Sequence, residues 1–195
     1  MAWNTAETRR RLRAAATAEF AAHGPHGTTM DRIARRAGIN KERLYSYFGG
    51  KDALFATVLG EELAAVAAAV PLASLGEQDI GEFAGAVFDH HAANPTLVRL
   101  LHWEGLAYSG PVPDESARTG FYLAKVEAAR RRGALAGSPD AAHLVFLVLS
   151  LAAWWFAVPQ VARMLTGADA DDPGELARRR AAVVEAARRL AGPRE

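Results

Sequence analysis

Apolar residues recur along most of this chain at the three- and four-residue spacing of helices, and no segment keeps the two-residue alternation of a strand. In the first segment Leu12, Ala15, Ala16 and Phe20 form such a series. Asn4, with Glu7 three residues later, has the arrangement of a capping box, and Gly24 and Pro25 end the helix. Thr29 is a good N-cap for a short second helix over 30–36. Gly38 stands where a tight turn needs a residue tolerant of positive φ, and Asn40 caps a third helix over 41–48. Leu44 and Phe48 share one side of that helix, leaving Lys41, Glu42, Arg43 and Ser46 to face elsewhere, and Gly49 and Gly50 stop it. From Asp52 a longer stripe of Leu54, Phe55, Val58, Leu59, Leu63 and Val66 runs into alanines until Pro71 breaks it. After a turn-like stretch over 71–78, helices are predicted at 79–93, 95–109, 115–133, 140–165 and 175–191, with loops at 110–113 and 168–174. The expected fold is all-α: a three-helix head over 1–51, then a linking helix leading into a helical body, the two together making up 52–195.

Composition narrows the classes. With 195 residues, 50% hydrophobic and 23% charged, the chain suits one or two small globular domains and excludes a large multidomain enzyme. It has no cysteine, which excludes disulfides, iron–sulfur clusters, thiolate zinc sites and cysteine nucleophiles. The opening MAWNTAETRRRLRAAATAEF lacks the apolar stretch of a secretory signal, so a cytoplasmic protein is expected. The apolar run over 144–158, interrupted by Ser150, falls short of the roughly 20 residues that cross a bilayer and reads as a buried helix, with no membrane partner.

Charge is divided along the chain. Residues 1–51 carry ten basic and four acidic side chains, net +6, whereas the remainder carries 13 basic and 18 acidic, net −5. A basic head on an acidic body fits a polyanion partner for the head, and a solvated helical face fits the same numbers. The two short helices joined at Gly38 add a helix-turn-helix candidate, whose second helix has the width to enter a DNA major groove while the first braces it on the backbone. A structural helical protein gives no reason for such a pair. Nothing marks an enzyme: the serines lie in turns or inside an apolar helix, no phosphate-cradling glycine loop precedes a basic helix, and the carboxylates are scattered. His90, His91 and His102 lie near Asp89 and Glu104 in sequence, but adjacent histidines point about 100° apart on a helix and no i, i+4 pair exists. No metal and no cofactor is expected.

The stretch GTTMDRIARRAGINKERLYSYFGGKDALF resembles the TetR (tetracycline-repressor-like) family of bacterial transcriptional regulators, following its pattern of Thr, Ile-Ala, Ala-Gly-Ile, Leu-Tyr, Tyr-Phe and Lys-Asp-x-Leu. The motif covers 8–56; the rest is similar to the family in length, helical content and a strongly apolar late helix. The resemblance implies that Thr29 directs backbone N–H groups at a phosphate, and that Tyr45, Tyr47 and Lys51 contact backbone phosphates. It places Lys41, Glu42, Arg43 and Ser46 where family members read bases, Arg43 suited to a guanine edge and Glu42 to a cytosine amine. Pairing of Glu42 with Arg43, Lys41 or Arg35, and packing of the Tyr45 and Phe48 rings into the small core, remain open.

For the body, the resemblance implies a homodimer enclosing a pocket for a small, largely apolar effector. Pocket candidates are Phe83, Val87, His91, Trp103, Leu106, Tyr122 and Trp155. The helix around 144–156 is apolar on all faces, and the last helix carries Leu176, Val183, Val184, Ala187 and Leu190 on one stripe with Arg178, Arg179, Arg188 and Arg189 largely outside it. The expected dimer interface is therefore Leu144, Leu147, Leu151, Val183, Val184, Ala187 and Leu190. The function implied is a ligand-responsive regulator, by family default a repressor, that binds a palindromic double-stranded DNA operator as a dimer and is released by its effector. An activator or an effector-dependent binder is the alternative mode.

Overall fold

The computed structural model describes residues 5–72, 79–131, 135, 140–169 and 171–191. These hold ten helices and no strand: α1 (Thr5–Gly27), α2 (Met30–Ala37), α3 (Lys41–Phe48), α4 (Lys51–Ala69), α5 (Ile80–Ala93), α6 (Pro95–Ala107), α7 (Glu115–Arg131), α8 (Ala141–Ala157), α9 (Pro159–Thr166) and α10 (Pro173–Ala191). Asn4, most of the turn over 71–78 and the end of the helix expected at 115–133 lie outside the described residues. No single helix among them is long and apolar enough to cross a membrane.

The chain forms two compact units, Met1–Ala64 with Arg99–Glu115, and Ala65–Val98 with Ser116–Glu195. The first extends past the boundary drawn after Lys51. Leu54, Phe55, Val58 and Leu59 of α4 are all buried, and the Phe55 ring meets that of Phe20 on α1 edge-on at 5.1 Å. Residues 99–115 join it through hydrogen bonds: Arg99 Nε and Trp103 Nε1 both donate to the Ala21 carbonyl, at 3.0 and 3.2 Å. These bonds satisfy an acceptor near the end of α1, where Gly24 at φ 68°, ψ 174° leaves helical geometry one residue before Pro25. The Tyr108 hydroxyl donates to Asp52 Oδ1 at 3.0 Å; burial and the neighbouring carboxylate push its pKa up to about 12.

In the second unit α5, α8 and α10 bury Phe83, Ala84, Val87 and Phe88 with Leu144, Val145, Val148, Ala152, Val183 and Ala187. Helices α5 and α10 approach closely because Gly81 carries no side chain; a Cβ there would stand 2.8 Å from the Val184 carbonyl oxygen. Arg188 binds Asp79 and Glu82 at 2.9 and 3.0 Å, and Arg180 binds Asp89 at 2.8 Å, so charge pairs flank the contact.

One element departs from the sequence reading. The helix expected over 140–165 is two helices, α8 and α9, bent by 86° at Val158 and Pro159. Proline at the first turn of α9 has no N–H to donate to α8 and its ring would clash with the carbonyl four residues earlier, so the apolar run cannot continue as one helix. Arg179 also lies inside the fold, contrary to its expected place outside the α10 stripe. It donates to Glu175 Oε1 at 2.8 Å and to the Ala168 carbonyl at 2.9 Å, and its guanidinium lies 5.4 Å from the Trp155 ring.

Candidate nucleic-acid interface

The turn between α2 and α3 is built from local hydrogen bonds. Thr29 is extended at φ −130°, and its Oγ1 accepts from the Arg32 N–H at 3.2 Å. At the other end of α2, Gly38 adopts the left-handed conformation, φ 67° and ψ 38°. Its N–H and that of Ile39 donate to the carbonyls of Arg35 and Ala34, both at 3.1 Å, which closes the helix and reverses the chain. Two residues later Asn40 Oδ1 accepts from the Arg43 N–H at 3.0 Å and starts α3. Leu44 and Ile33, both wholly buried, hold the two helices to the core.

The face of α3 left outside carries the residues singled out from the sequence. Lys41, Glu42, Tyr45 and Ser46 are exposed, and Arg43, Tyr47 and Phe48 are half-buried. A shallow concavity lined by Gly38, Ile39, Asn40, Glu42, Arg43 and Ser46 runs along the turn and the start of the helix. The Lys41 ammonium lies 5.9 Å from the Tyr45 ring and the Arg9 guanidinium 5.3 Å from the Tyr47 ring, so cations are stacked on both tyrosines. Tyr45 is 43% exposed. Arg35 pairs with Asp31 at 3.2 Å, which leaves Glu42 without that candidate partner. Lys51 begins α4 and its Nζ donates to the Thr28 carbonyl at 3.3 Å, clamping α4 to the entry of α2.

One of the head's four acidic residues organises the other side of α2. Glu19 of α1 is only 5% exposed; its Oε2 accepts from the Thr28 hydroxyl at 2.9 Å and lies 3.3 Å from Arg32, and its Oε1 accepts from Arg36 at 3.1 Å. Burial pushes the Glu19 carboxyl up, but the hydrogen bonds from Thr28 and Arg36 and the charge of Arg32 outweigh it, so the pKa falls below the usual glutamate value. The signal was present in the sequence: Glu19 falls at helical spacing on the stripe of Leu12, Ala15, Ala16 and Phe20, an acid on an apolar face.

The body candidates are distributed unevenly. Phe83, Val87 and His91 follow one another on a single face of α5, each buried, and half-buried Trp155 packs against the same core. The His91 ring lies 6.2 Å from that of Phe156, and its Nδ1 is buried with no hydrogen-bond partner among the described residues. Burial, reinforced by the charge of His90, pushes its pKa down to about 4, so the ring is neutral at physiological pH. Trp103 and Leu106 instead belong to the first unit, Trp103 bonded to Ala21 and Leu106 77% exposed. Tyr122 on α7 is exposed. Of the proposed interface residues, Leu144, Val183, Val184 and Ala187 are buried within the chain, while Leu147 and Leu190 are each 49% exposed and Leu151 is half-buried. Phe146 and Trp154 are exposed on α8 as well, at 68% and 59%. Among the described residues no group of three His, Asp or Glu side chains is placed to hold a metal ion.

Comparison with known proteins covers nearly all of the chain. Residues 12–58 match the model for bacterial regulatory proteins of the tetR family, and residues 79–189 match the tetracyclin repressor-like C-terminal domain. The HTH-type transcriptional repressor SCO4008 of Streptomyces coelicolor is 40% identical over 188 residues, 94% of each chain. The crystal structure of the transcriptional regulator SCO4942 from the same organism superposes with a TM-score of 0.74 at 32% identity, covering 94% of this chain and 97% of that one. A tetR-family regulatory protein from Rhodococcus RHA1 shares the fold, with a TM-score of 0.70 at 23% identity and coverage of 96% and 98%.

Proposed function

The chain belongs to the TetR family of bacterial transcriptional regulators, and on that premise we propose that it is a dimeric repressor that binds a palindromic operator and is released by a small, largely apolar effector. It is a DNA-binding regulator and not an enzyme. The observation that carries the operator reading is the paired capping at Thr29 and Asn40 around left-handed Gly38, which leaves the polar side of α3 outward. A helix so presented enters the major groove with its first residues at the base edges. Arg43 then takes a guanine edge, with Lys41, Glu42 and Ser46 beside it, while Thr29, Tyr45, Tyr47 and Lys51 lie along the phosphates. Residues 1–51 are the DNA-binding segment and 52–195 carry dimerisation and effector binding. The 40% identity to a repressor supports repression as the mode, and a regulator of transcription acts in the cytoplasm.

For the dimer, the exposed side of α8 and α10 is the surface of choice. Leu147, Leu151 and Leu190 lie there with Phe146 and Trp154, and Leu151 and Leu190 line one groove with Ala182, Glu185, Ala186 and Arg189. Two recognition helices related by a twofold axis read half-sites about one DNA turn apart, roughly 34–36 Å or a little more. For the effector, Phe83, Val87 and Trp155 supply apolar contact and the neutral His91 a polar one. Selection of sites from a random duplex library by the purified protein, at two salt concentrations, tests the reading. An inverted repeat recovered with a steep salt dependence supports it; failure to enrich any sequence overturns operator binding by the free protein.

A further inference from the structure

Several arginines of the head are engaged within the protein, among them all three on α2. In a helix-turn-helix this helix crosses the sugar–phosphate backbone, and here it bears Arg32, Arg35 and Arg36. On charge alone all three are phosphate ligands. In the structure each is paired: Arg35 with Asp31, and Arg32 and Arg36 with Glu19 at 3.3 and 3.1 Å. The two arrangements differ in strength. Arg35 and Asp31 are both exposed, and a solvated i, i+4 pair of that kind opens readily when a phosphate approaches. Glu19 is buried, so transfer of both guanidinium groups to DNA would strand a desolvated carboxylate with only the Thr28 hydroxyl, at a cost a surface phosphate contact does not return. Further contacts fix Arg32 in place, from the Gly27 carbonyl at 3.4 Å and His23 Nε2 at 2.9 Å.

We propose that Glu19 limits the phosphate affinity of the DNA-binding head: its buried carboxylate holds the guanidinium groups of Arg32 and Arg36 on the protein and so keeps them off the DNA backbone. Each withheld phosphate contact removes binding that every sequence would share, which lowers affinity for operator and random DNA alike and leaves base reading by α3 intact. The proposal rests on the operator-binding reading above.

The test is a salt titration of the full-length protein on a random-sequence duplex and on its selected operator. Glu19→Gln keeps the side-chain shape and an acceptor for Thr28 but removes the charge. The slope of log affinity against log salt on random duplex should steepen by about one to two, and each phosphate gained should raise affinity up to about eightfold at 0.1 M salt. Operator and random duplex should gain alike, with the preference between them unchanged. A folded Glu19→Gln protein, checked by circular dichroism, with the wild-type slope would overturn the proposal. Arg36→Gln supplies an independent arm, since it leaves Glu19 bound to Arg32 and Thr28: its slope should match wild type, and a slope shallower by about one would also overturn it. Wild-type protein that binds no duplex at any salt concentration removes the operator-binding reading itself, whereas normal wild-type binding with an unaltered Glu19→Gln slope removes this proposal alone.

Discussion

His91 makes the stability of the second unit depend on pH in a defined window. Its ring is 5% exposed, packed beside Phe156, and its pKa is pushed from 6.5 down to about 4 because the buried site disfavours the imidazolium. The unfolded chain therefore takes up a proton that the folded chain refuses. Stability is complete above pH 6.5 and is lost as the pH falls from there towards 4. Linkage between those two values gives a loss of about 2 kcal/mol between pH 7.5 and pH 5, approaching about 3 kcal/mol below pH 4. The assay is urea unfolding of wild type and His91→Leu at both pH values and one protein concentration. Subtracting one protein's pH dependence from the other's isolates what depends on His91. Glu19, Asp79 and Glu175 have lowered carboxyl values, so the stability they lend is present above the usual carboxylate range and is lost only in more acid solution. His91→Leu should lose about 2 kcal/mol less than wild type on going to pH 5, and at pH 7.5 it should be no less stable, because it removes a buried nitrogen that has no partner. Equal pH dependence in the two proteins would refute the burial argument.

Other perturbations separate the parts of the molecule. Arg43→Ala should abolish preference at one operator position at a cost of about 1–3 kcal/mol, whereas Lys51→Ala should weaken operator and random duplex alike; competition binding that gives both variants equal losses on both DNAs would sink that division. Gly24→Ala forces a side chain into a conformation that only glycine adopts readily and sets its Cβ 2.5 Å from the Trp103 ring, so a loss of about 3 kcal/mol or more is expected in denaturant unfolding. A change below about 0.5 kcal/mol, within the range of ordinary surface substitutions, contradicts the packing of Trp103 on that bend. Leu147→Glu combined with Leu190→Glu alters side chains that are each 49% exposed, so the fold should persist by circular dichroism while sedimentation reports a monomer; a dimer of wild-type affinity would place the interface elsewhere.

The sequence alone determined what depends on residues a few positions apart. Thr29 and Asn40 cap helices through side chains that reach an N–H three residues on, and Gly38 turns the chain because its own backbone tolerates positive φ. Helical periodicity likewise gave the all-α class. The bend in the 140–165 segment had a local signal as well, Pro159, which the apolar run before it masked. Tertiary structure decided which side of each helix meets the rest of the chain. Helix α8 is apolar on every side, so periodicity could not say that Leu144 faces inward and Leu147 outward. Nor could it separate Val183, Val184 and Ala187, buried in their own core, from Leu190. Trp103 became a donor to Ala21 and Arg179 a buried partner of Glu175 through contacts that no local pattern encodes. The same holds for the charge of the head. Counting gives its sign, but whether a guanidinium meets a phosphate or a carboxylate depends on what the fold brings within about 3–4 Å, and Glu19 reaches Arg32 and Arg36 only because α1 and α2 pack together.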